Sequence, residues 1–274
     1  MNKQIFSLLT ACCIAAFALT AQADEVAVCP RIVSQSPYLT QALKWLGRGE
    51  CLVGVSRYER EYPDLPRTGG VLDPDKETIA ALKPDILIAS NWADAKTMAD
   101  VTPEGARLVV VDGFAGMRDA ENMLATLAKE TNAPDSAQAA LAAFSQQWHE
   151  AAERLAKIAR HRRVLVLSTC MGSPFSFGRE HVIGDIFTQS GFELVETAPK
   201  VRHLVAGAEI PDIERMLDKT RPEIVVALTS ESAEYCRMIA PQASAEIVTL
   251  DGAPFIHPGA GLLQAYEEIR KAFE

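Results

Sequence analysis

The sequence predicts an α/β fold of two doubly wound, parallel-sheet lobes joined by one long α-helix. A helix-loop-strand phrase occurs twice, as ALKPDILIAS at 81–90 and KTRPEIVVALTS at 219–230. In each copy a proline ends a helix, and the apolar run that follows is typical of a strand buried on both faces. Apolar residues also recur every three or four positions from Pro134 to about Arg160, without Gly or Pro between. This pattern predicts one amphipathic helix of about 26 residues and roughly 40 Å, with Phe144 and Trp148 packed in the core.

The first lobe reads as alternating strands and helices. Four apolar runs predict strands at 31–34, 52–55, 85–89 and 108–111. A helix from Pro37 to Leu46 separates the first two. The next helix is predicted to begin with Asp73 as N-cap and Pro74 at its first position, and to end before Pro84.

The second lobe repeats the strand, loop and helix order. Strands are predicted at 164–167, 224–228 and 247–250, and a last helix from about Ala260 to Phe273. We therefore divide the chain into a signal peptide at 1–23, an N-terminal lobe at 24–116, connecting helices at 117–161 and a C-terminal lobe at 162–274.

The first residues have the pattern of a secretory signal peptide. Lys3 precedes an apolar stretch from Ile5 to Leu19, and Ala21-Gln22-Ala23 is a small-residue cleavage site. A transmembrane anchor would need about 20 apolar residues and no such site. The box Leu9-Thr10-Ala11-Cys12 also resembles a lipoprotein signal, but more apolar residues follow it. We expect export to the periplasm, with lipid anchoring as the alternative.

The charge of the chain argues against some partners. The net charge is -9, and loss of residues 1–23, with Lys3 as their only charge, makes it -10. An acidic chain without a basic cluster is a poor candidate for binding nucleic acid.

Four cysteines follow the signal segment, and an exported protein favours their pairing. We predict disulfides between Cys29 and Cys51 and between Cys170 and Cys236, because each pair then lies within one lobe. Buried free thiols are the alternative. A metal site is disfavoured, because there is no Cys-x-x-Cys or closely spaced Cys and His pattern.

Residues that follow the strands should form the wall of a ligand site, because ligands of parallel sheets bind at the carboxyl ends of the strands. These positions are rich in aromatic residues, although the chain is only 7% aromatic. Rings facing one another across two lobes suit a large, flat, partly apolar ligand. The aromatic residues at these positions are Tyr38, Tyr58, Trp92, Phe114, Phe175, Phe177 and Phe255.

Several separated motifs resemble the periplasmic binding proteins for cobalamin, haem and ferric siderophores. They are RIVSQSP from Arg31, VGVSRY ending at Tyr58, Gly69-Gly70, the 81–90 phrase and PFSFG from Pro174. The resemblance covers nearly the whole chain after the signal segment. It implies two lobes on one long helix, little hinge motion, no enzymatic activity, and delivery of a metal chelate to an inner-membrane ABC importer. We also expect a monomer with no cofactor of its own.

The strongest local similarity is to the cobalamin-binding type, which makes a corrinoid the expected ligand. It implies contacts from Tyr58 and Phe175, and Trp92, Asp251 and Phe255 are further candidates. Phe177, His257 and Arg57 complete the predicted ligand site.

The two other chelates are alternatives. Haem binders usually carry a ligating Tyr where this chain has Gly70, so haem would need Tyr58, His257 or Cys170. An anionic siderophore would need cations, of which Arg57 and Arg179 are the candidates.

The resemblance also implies docking to the permease through one surface glutamate on each lobe. Glu77 matches, seven residues before Pro84, whereas Glu214 stands eight before Pro222, an offset of one. Glu77 also has an explanation that involves no permease, because an acidic residue in the first turn of a helix interacts favourably with the helix dipole.

Two other classes of function are weaker alternatives. An exported thiol enzyme could pair Cys170 with His181 or His203, but no third orienting group or catalytic motif supports it. A receptor for bare metal ions would need several convergent His, Asp or Glu ligands, whereas the strand ends offer mainly aromatics.

Overall fold

The computed structural model describes residues 29–170, 173–229 and 245–274. The predicted signal peptide, its lipoprotein alternative and Cys236 lie outside these residues. Two β-sheets are connected by a long helix, as predicted. A continuous hydrophobic cluster extends from the first sheet, through the helices between the lobes, to the second sheet.

The first lobe contains a parallel four-stranded sheet in the order β2-β1-β3-β4. Its central strands are buried runs of Ile, Val and Leu, as expected for strands covered on both faces. Its elements are β1 (Ile32–Ser34), α1 (Pro37–Trp45), β2 (Leu52–Val55), α2 (Lys76–Leu82), β3 (Ile86–Ser90), α3 (Ala95–Val101) and β4 (Arg107–Val111).

One disulfide joins the beginnings of two neighbouring strands. Cys29 precedes β1 and Cys51 precedes β2, and their Cα atoms are 5.4 Å apart. The first predicted pairing is therefore confirmed. The pairing of Cys170 with Cys236 stays a prediction, because Cys236 lies outside the described residues.

Two helices connect the lobes. α4 (Met117–Glu130) packs beside α5 (Asp135–Ala159), which has 25 residues and a length of about 37 Å. Phe144 and Trp148 are buried on α5, as predicted. The helix therefore contributes to the core as well as to the connection.

The second lobe departs from the predicted parallel sheet, because its sheet is mixed. The strand that comes next after β5 along the chain is β6, which pairs antiparallel with β5 and with β8. Phe175 and Phe177, expected in a loop, therefore lie in a strand. The elements are β5 (Arg163–Cys170), β6 (Ser173–Phe177), α6 (Val182–Gln189), β7 (Glu193–Leu194), β8 (Val201–His203), α7 (Ile213–Thr220), β9 (Ile224–Thr229), β10 (Glu246–Asp251) and α8 (Leu262–Phe273).

The repeated phrase corresponds to the same set of contacts in each lobe. The Arg31 backbone N–H donates to the carboxylate of Asp85, and its guanidinium donates to the Leu82 and Lys83 carbonyls. Arg163 likewise donates to the Glu223 carboxylate and to the last carbonyls of α7. Each arginine thus binds the otherwise unpaired C-terminal carbonyls of the helix that precedes the proline.

Two backbone groups join the lobes directly. The Val182 N–H donates to the Phe114 carbonyl at 2.6 Å. The Met117 N–H, in the first turn of α4, donates to Oδ2 of Asp185 on α6 at 2.7 Å. A Cβ at Gly116 would approach this oxygen to 2.8 Å, so a side chain there would displace the Asp185 carboxylate. These bonds place the end of β4 against the start of α6.

In the described part of the chain, none of the helices combines the length and apolar character that crossing a membrane requires.

Candidate functional site

The lobes enclose a cavity of about 320 Å³ at the carboxyl ends of their strands. We call it the aromatic cavity. Its lining contains no Asp, Glu, Lys or Arg among the described residues. The lining residues are Trp92, Phe114, Ser168, Phe175, Phe177, His181, Ile183, Leu228, Thr229, Gly252, Phe255 and Ile256.

The first lobe contributes a stacked pair of rings. Trp92 follows β3 and Phe114 follows β4, and their centroids are 4.4 Å apart at an interplanar angle of 28°. Phe114 is buried and also contacts the edge of Tyr38 on α1, at 5.2 Å. Trp92 keeps 59% of its surface exposed. Phe114 therefore supports an indole ring that is free to stack on a ligand.

The second lobe contributes rings from one face of β6. Phe175 and Phe177 are two residues apart, so both point to the same side of the strand, and their rings are 5.3 Å apart. Phe175 is half-buried, whereas Phe177 is buried. Phe255, in the loop after β10, is almost wholly buried and stacks on Phe187. Phe175 is therefore the most available ring on this side.

His181 is an uncharged polar group in the aromatic cavity. It precedes α6 as N-cap, and its Nδ1 accepts the Ile183 backbone N–H at 3.2 Å. Burial lowers its pKa from 6.5 to about 4, while the charge of Asp112 opposes this shift. At neutral pH the imidazole is neutral, and the bond to Nδ1 leaves the proton on Nε2.

A second cavity of about 390 Å³, which we call the side cavity, lies between α1 and the loop after β10. Asp251 and His257 line it together with Tyr38. The His257 ring lies nearly parallel to Tyr38, with centroids 6.3 Å apart. Burial lowers the pKa of His257, whereas the charge of Glu59 opposes this shift. Two of the predicted ligand residues are thus adjacent to the aromatic cavity without lining it.

Arg57 and Tyr58 follow β2 and line neither cavity. The Arg57 guanidinium donates to the Asp73 carboxylate at 2.5 Å, and it lies 6.0 Å from the centroid of the Tyr58 ring. The Tyr58 ring is 61% exposed. Arg57 is therefore partly neutralised, while Tyr58 offers an open ring face at the strand ends.

The two predicted docking glutamates occupy the same helical position. Asp75 is the N-cap of α2 and Asp212 the N-cap of α7, and in each helix the glutamate is the second residue. Both Glu77 and Glu214 are exposed. The offset from the prolines arises because α7 is one residue longer than α2.

The predicted start of α2 was wrong by two residues. Asp75, not Asp73, accepts the Thr78 N–H and caps the helix. Asp73 is instead engaged by Arg57, in the turn that contains Gly69 and Gly70.

The site includes side chains that were not among the predicted ligand residues. Phe114 and Tyr38 follow strands, so the expectation that ligands bind at the carboxyl ends of the strands does include them. His181 and Ile183 reach the aromatic cavity through the interlobe bond at Val182, for which the sequence carries no signal. Within the described residues, no group of three or more His, Cys, Asp or Glu is placed to hold a metal ion.

Comparison with known families identifies the chain. Residues 32–245 match the family model described as periplasmic binding protein. The chain belongs to this family. A sequence comparison with curated proteins finds no match.

Solved structures of other periplasmic binding proteins share the fold. The vitamin B12 binding protein BtuF of Vibrio cholerae has a TM-score of 0.66 and 20% identity, over 89% of this chain and 96% of that one. A periplasmic haem-binding protein from Pseudomonas aeruginosa has a TM-score of 0.69 and 22% identity, over 90% and 93%. The siderophore-binding protein BauB, bound to acinetobactin and ferric iron, has a TM-score of 0.65 and 17% identity, over 89% and 93%. Family and fold are those of binding proteins, not enzymes.

Proposed function

We propose that this protein captures a metal chelate between its lobes, preferably a corrinoid, and delivers it to an ABC importer in the inner membrane. The observation that carries the proposal is the aromatic cavity, with exposed ring surface from both lobes and no charged residue among the described residues that line it. The fold is shared with binding proteins for vitamin B12, haem and a ferric siderophore, so the fold alone does not distinguish these three ligands. The choice among them rests on the residues of the site.

An uncharged, ring-lined cavity favours a chelate whose contacting surface is flat and carries little charge. Trp92 and Phe175 lie on opposite lobes and, of the rings that line the aromatic cavity, are the two with the most surface left to a ligand. Stacking and apolar burial against such rings need no compensating ion pair. A corrin ring with neutral amide substituents matches this chemistry.

An anionic ferric siderophore matches it less well, because such a ligand needs cations nearby. Arg57 is already paired with Asp73. Arg179 is exposed and lines neither cavity.

Haem is the second candidate, and His181 is the observation that favours it. A neutral imidazole is the form that binds iron, and burial keeps His181 neutral in the aromatic cavity. Because Nδ1 accepts the Ile183 N–H, iron binding through Nε2 requires that hydrogen bond to break and the proton to move to Nδ1. His257, predicted as an alternative ligand, lines the side cavity against Tyr38. Tyr58 carries its hydroxyl on an exposed ring at the strand ends.

We further propose that Glu77 and Glu214 contact arginines of the permease. Their equivalent positions in α2 and α7 put one exposed carboxylate on each lobe. Such pairs contribute more to steering and specificity than to affinity. The location we propose is the periplasm, reached through the signal peptide.

The chelate is tested by titrating the purified protein with cyanocobalamin, hemin, a ferric hydroxamate and a ferric catecholate. Binding is followed by tryptophan fluorescence and by the visible spectrum of the complex. We expect cyanocobalamin to bind tightest, with bands little changed from those of the free ligand. Failure of all four to bind would exclude the proposal, and a hemin complex that is stronger and shows ligated-iron bands would replace corrinoid by haem.

Variants test the site itself. We expect Trp92→Ala and Phe175→Ala each to weaken binding by about 1–3 kcal/mol, or about five- to 150-fold in Kd. Val110→Ala is the matched control, because Val110 is an exposed apolar residue on β4 that lines neither cavity. Equal affinities for all three variants would place the ligand elsewhere.

A further inference from the structure

The two cysteines of the Cys29–Cys51 disulfide differ in their exposure to solvent. Cys51 is only 4% exposed, whereas Cys29 is exposed. Both cysteines precede their strands, so the bond lies at the end of the first sheet opposite the ligand cleft. A small reactant from solution therefore meets the sulfur of Cys29 first, away from any bound chelate.

A buried cation lies beside the inner sulfur. Arg48 is 5% exposed, and its Nη1 donates to Sγ of Cys51 at 3.9 Å. Its Nε and Nη2 atoms have no hydrogen-bond partner in the part of the chain that the structure describes. No carboxylate of the described residues forms an ion pair with it either. Arg48 is thus a desolvated positive charge whose nearest polar partner is the sulfur of Cys51.

An unneutralised buried charge is costly, and it interacts strongly with any charge that develops nearby. Cleavage of a disulfide by a thiolate releases one of its sulfurs as a new thiolate, and the reaction is faster when that leaving thiolate is stabilised. A neighbouring arginine provides this stabilisation. Both accessibility and charge therefore favour the same direction of cleavage, with attack at Cys29 and departure of Cys51.

We propose that Cys29–Cys51 is a thiol-exchange site, at which a low-molecular-weight thiol modifies Cys29 and Arg48 stabilises the Cys51 thiolate. The attacking thiolate forms a new S–S bond to Sγ of Cys29, and the electron pair of the old bond goes to Sγ of Cys51. A second thiolate that attacks the adduct releases Cys29 as a thiolate and completes the two-electron reduction. Two thiols are then oxidised to one disulfide, and the protein disulfide is reduced to two thiols.

The test uses reduced glutathione on the folded protein, with acid quenching and peptide mapping by mass spectrometry. Trypsin places Cys51 in the peptide 49–57 and Cys29 in the peptide that ends at Arg31. We expect the glutathione adduct on the Cys29 peptide and a free thiol in 49–57. An adduct on Cys51, or no adduct on the folded protein, would overturn the proposal.

The role of Arg48 is tested by rates. We expect Arg48→Met to slow adduct formation by about three- to tenfold, and the charge-retaining Arg48→Lys to slow it less. Equal rates in wild type and Arg48→Met would refute the assigned role. A comparison without variants is also decisive: the bond in the folded protein should react faster than in the isolated disulfide-linked peptide pair, where Arg48 is cleaved from the Cys51 peptide. A slower reaction in the folded protein would contradict the proposal even if the Arg48 variants do not fold.

Discussion

Tyr58 shows how a single residue can distinguish the two leading ligands. Its ring is open at the strand ends, and a Cβ at Gly70 would lie 3.2 Å from it, so the glycine turn leaves room beside the ring. Ring stacking needs only the aromatic surface, whereas iron ligation needs the phenolic oxygen. The two contributions are therefore separable by substitution.

We expect Tyr58→Ala to weaken chelate binding by about 1–3 kcal/mol, because it removes the ring. Tyr58→Phe should leave corrinoid affinity nearly unchanged, and it should lower hemin affinity if the hydroxyl binds iron. Fluorescence titration of both variants checks this. A wild-type dissociation constant in Tyr58→Ala would show that the Tyr58 ring does not contact the ligand.

His181 should make the stability of the protein depend on pH. Its folded-state pKa of about 4 lies below the ordinary value of 6.5, so the unfolded chain binds the proton more tightly. The free energy of unfolding should therefore fall as pH drops from about 6.5 to about 4, with His181 contributing about 2–3 kcal/mol to the loss.

His181→Asn provides the comparison, because Asn caps a helix and does not titrate in this range. Urea denaturation at pH 7, 5.5 and 4 should give a smaller loss of stability in the variant. His257 also has a lowered pKa and contributes equally to both proteins. Parallel pH profiles would show that His181 is not the group responsible.

At the scale of elements, the helix-loop-strand unit that occurs in both lobes has an arginine with the same role in each copy. Arg31 and Arg163 each donate to helix carbonyls before a proline, where no backbone N–H can continue the helix. Both side chains are partly open to solvent, which reduces the strength of these bonds.

We expect Arg31→Ala and Arg163→Ala to lower the free energy of unfolding by similar amounts, about 1–2 kcal/mol each. Lysine should restore little, because one ammonium cannot reproduce the fork of the guanidinium. Arg179→Ala, an exposed arginine on the same lobe as Arg163, is the control for loss of charge. Chemical denaturation measures all of these variants, and an effect no larger than that of Arg179→Ala would assign the arginines no capping role.

Elements with a strong periodic or apolar pattern were predictable from sequence. β3 and β9 are apolar runs after a proline, and α5 follows from a period near 3.6 without interruption. β6 was not predicted, because Pro174 disfavours a strand and five residues are too few to establish alternation. Its pairing with β5 and β8 depends on partners that the local sequence does not specify.

The candidate site was predictable to the extent that it follows strand ends. Trp92 and Phe255 reach the aromatic cavity because each follows a strand, and Phe175 and Phe177 reach it from β6, the strand that comes directly after β5. The separation of Asp251 and His257 into the side cavity could not be predicted, because it depends on which side of the end of β10 and of the loop after it each residue faces.

At the scale of the whole molecule, Asp185 couples the lobes. Its carboxylate accepts the first N–H of α4 from across the interface, where the positive end of the helix strengthens the bond. The same carboxylate accepts from Gln189 on its own helix, which fixes its orientation.

We expect Asp185→Ala to lower the free energy of unfolding by about 1–3 kcal/mol and to weaken chelate binding, although Asp185 does not line the aromatic cavity. Asp185→Asn keeps an acceptor and should have a smaller effect. Denaturation and ligand titration on the same samples separate the two effects. Unchanged binding in a destabilised Asp185→Ala protein would mean that the cleft keeps its shape without this bond.

The order of the strands along the chain has a consequence for the evolution of specificity. β1 to β4 all precede α5 and β5 to β10 all follow it, so each sheet is built from an uninterrupted stretch of sequence. A single recombination event within α5 would therefore exchange one complete half-site and leave the other intact. The offspring of such a crossover would need to keep the interlobe bonds at Val182 and Asp185 and the hydrophobic packing around α4 and α5. New pairings of ligand surfaces could arise in this way without any change to either sheet.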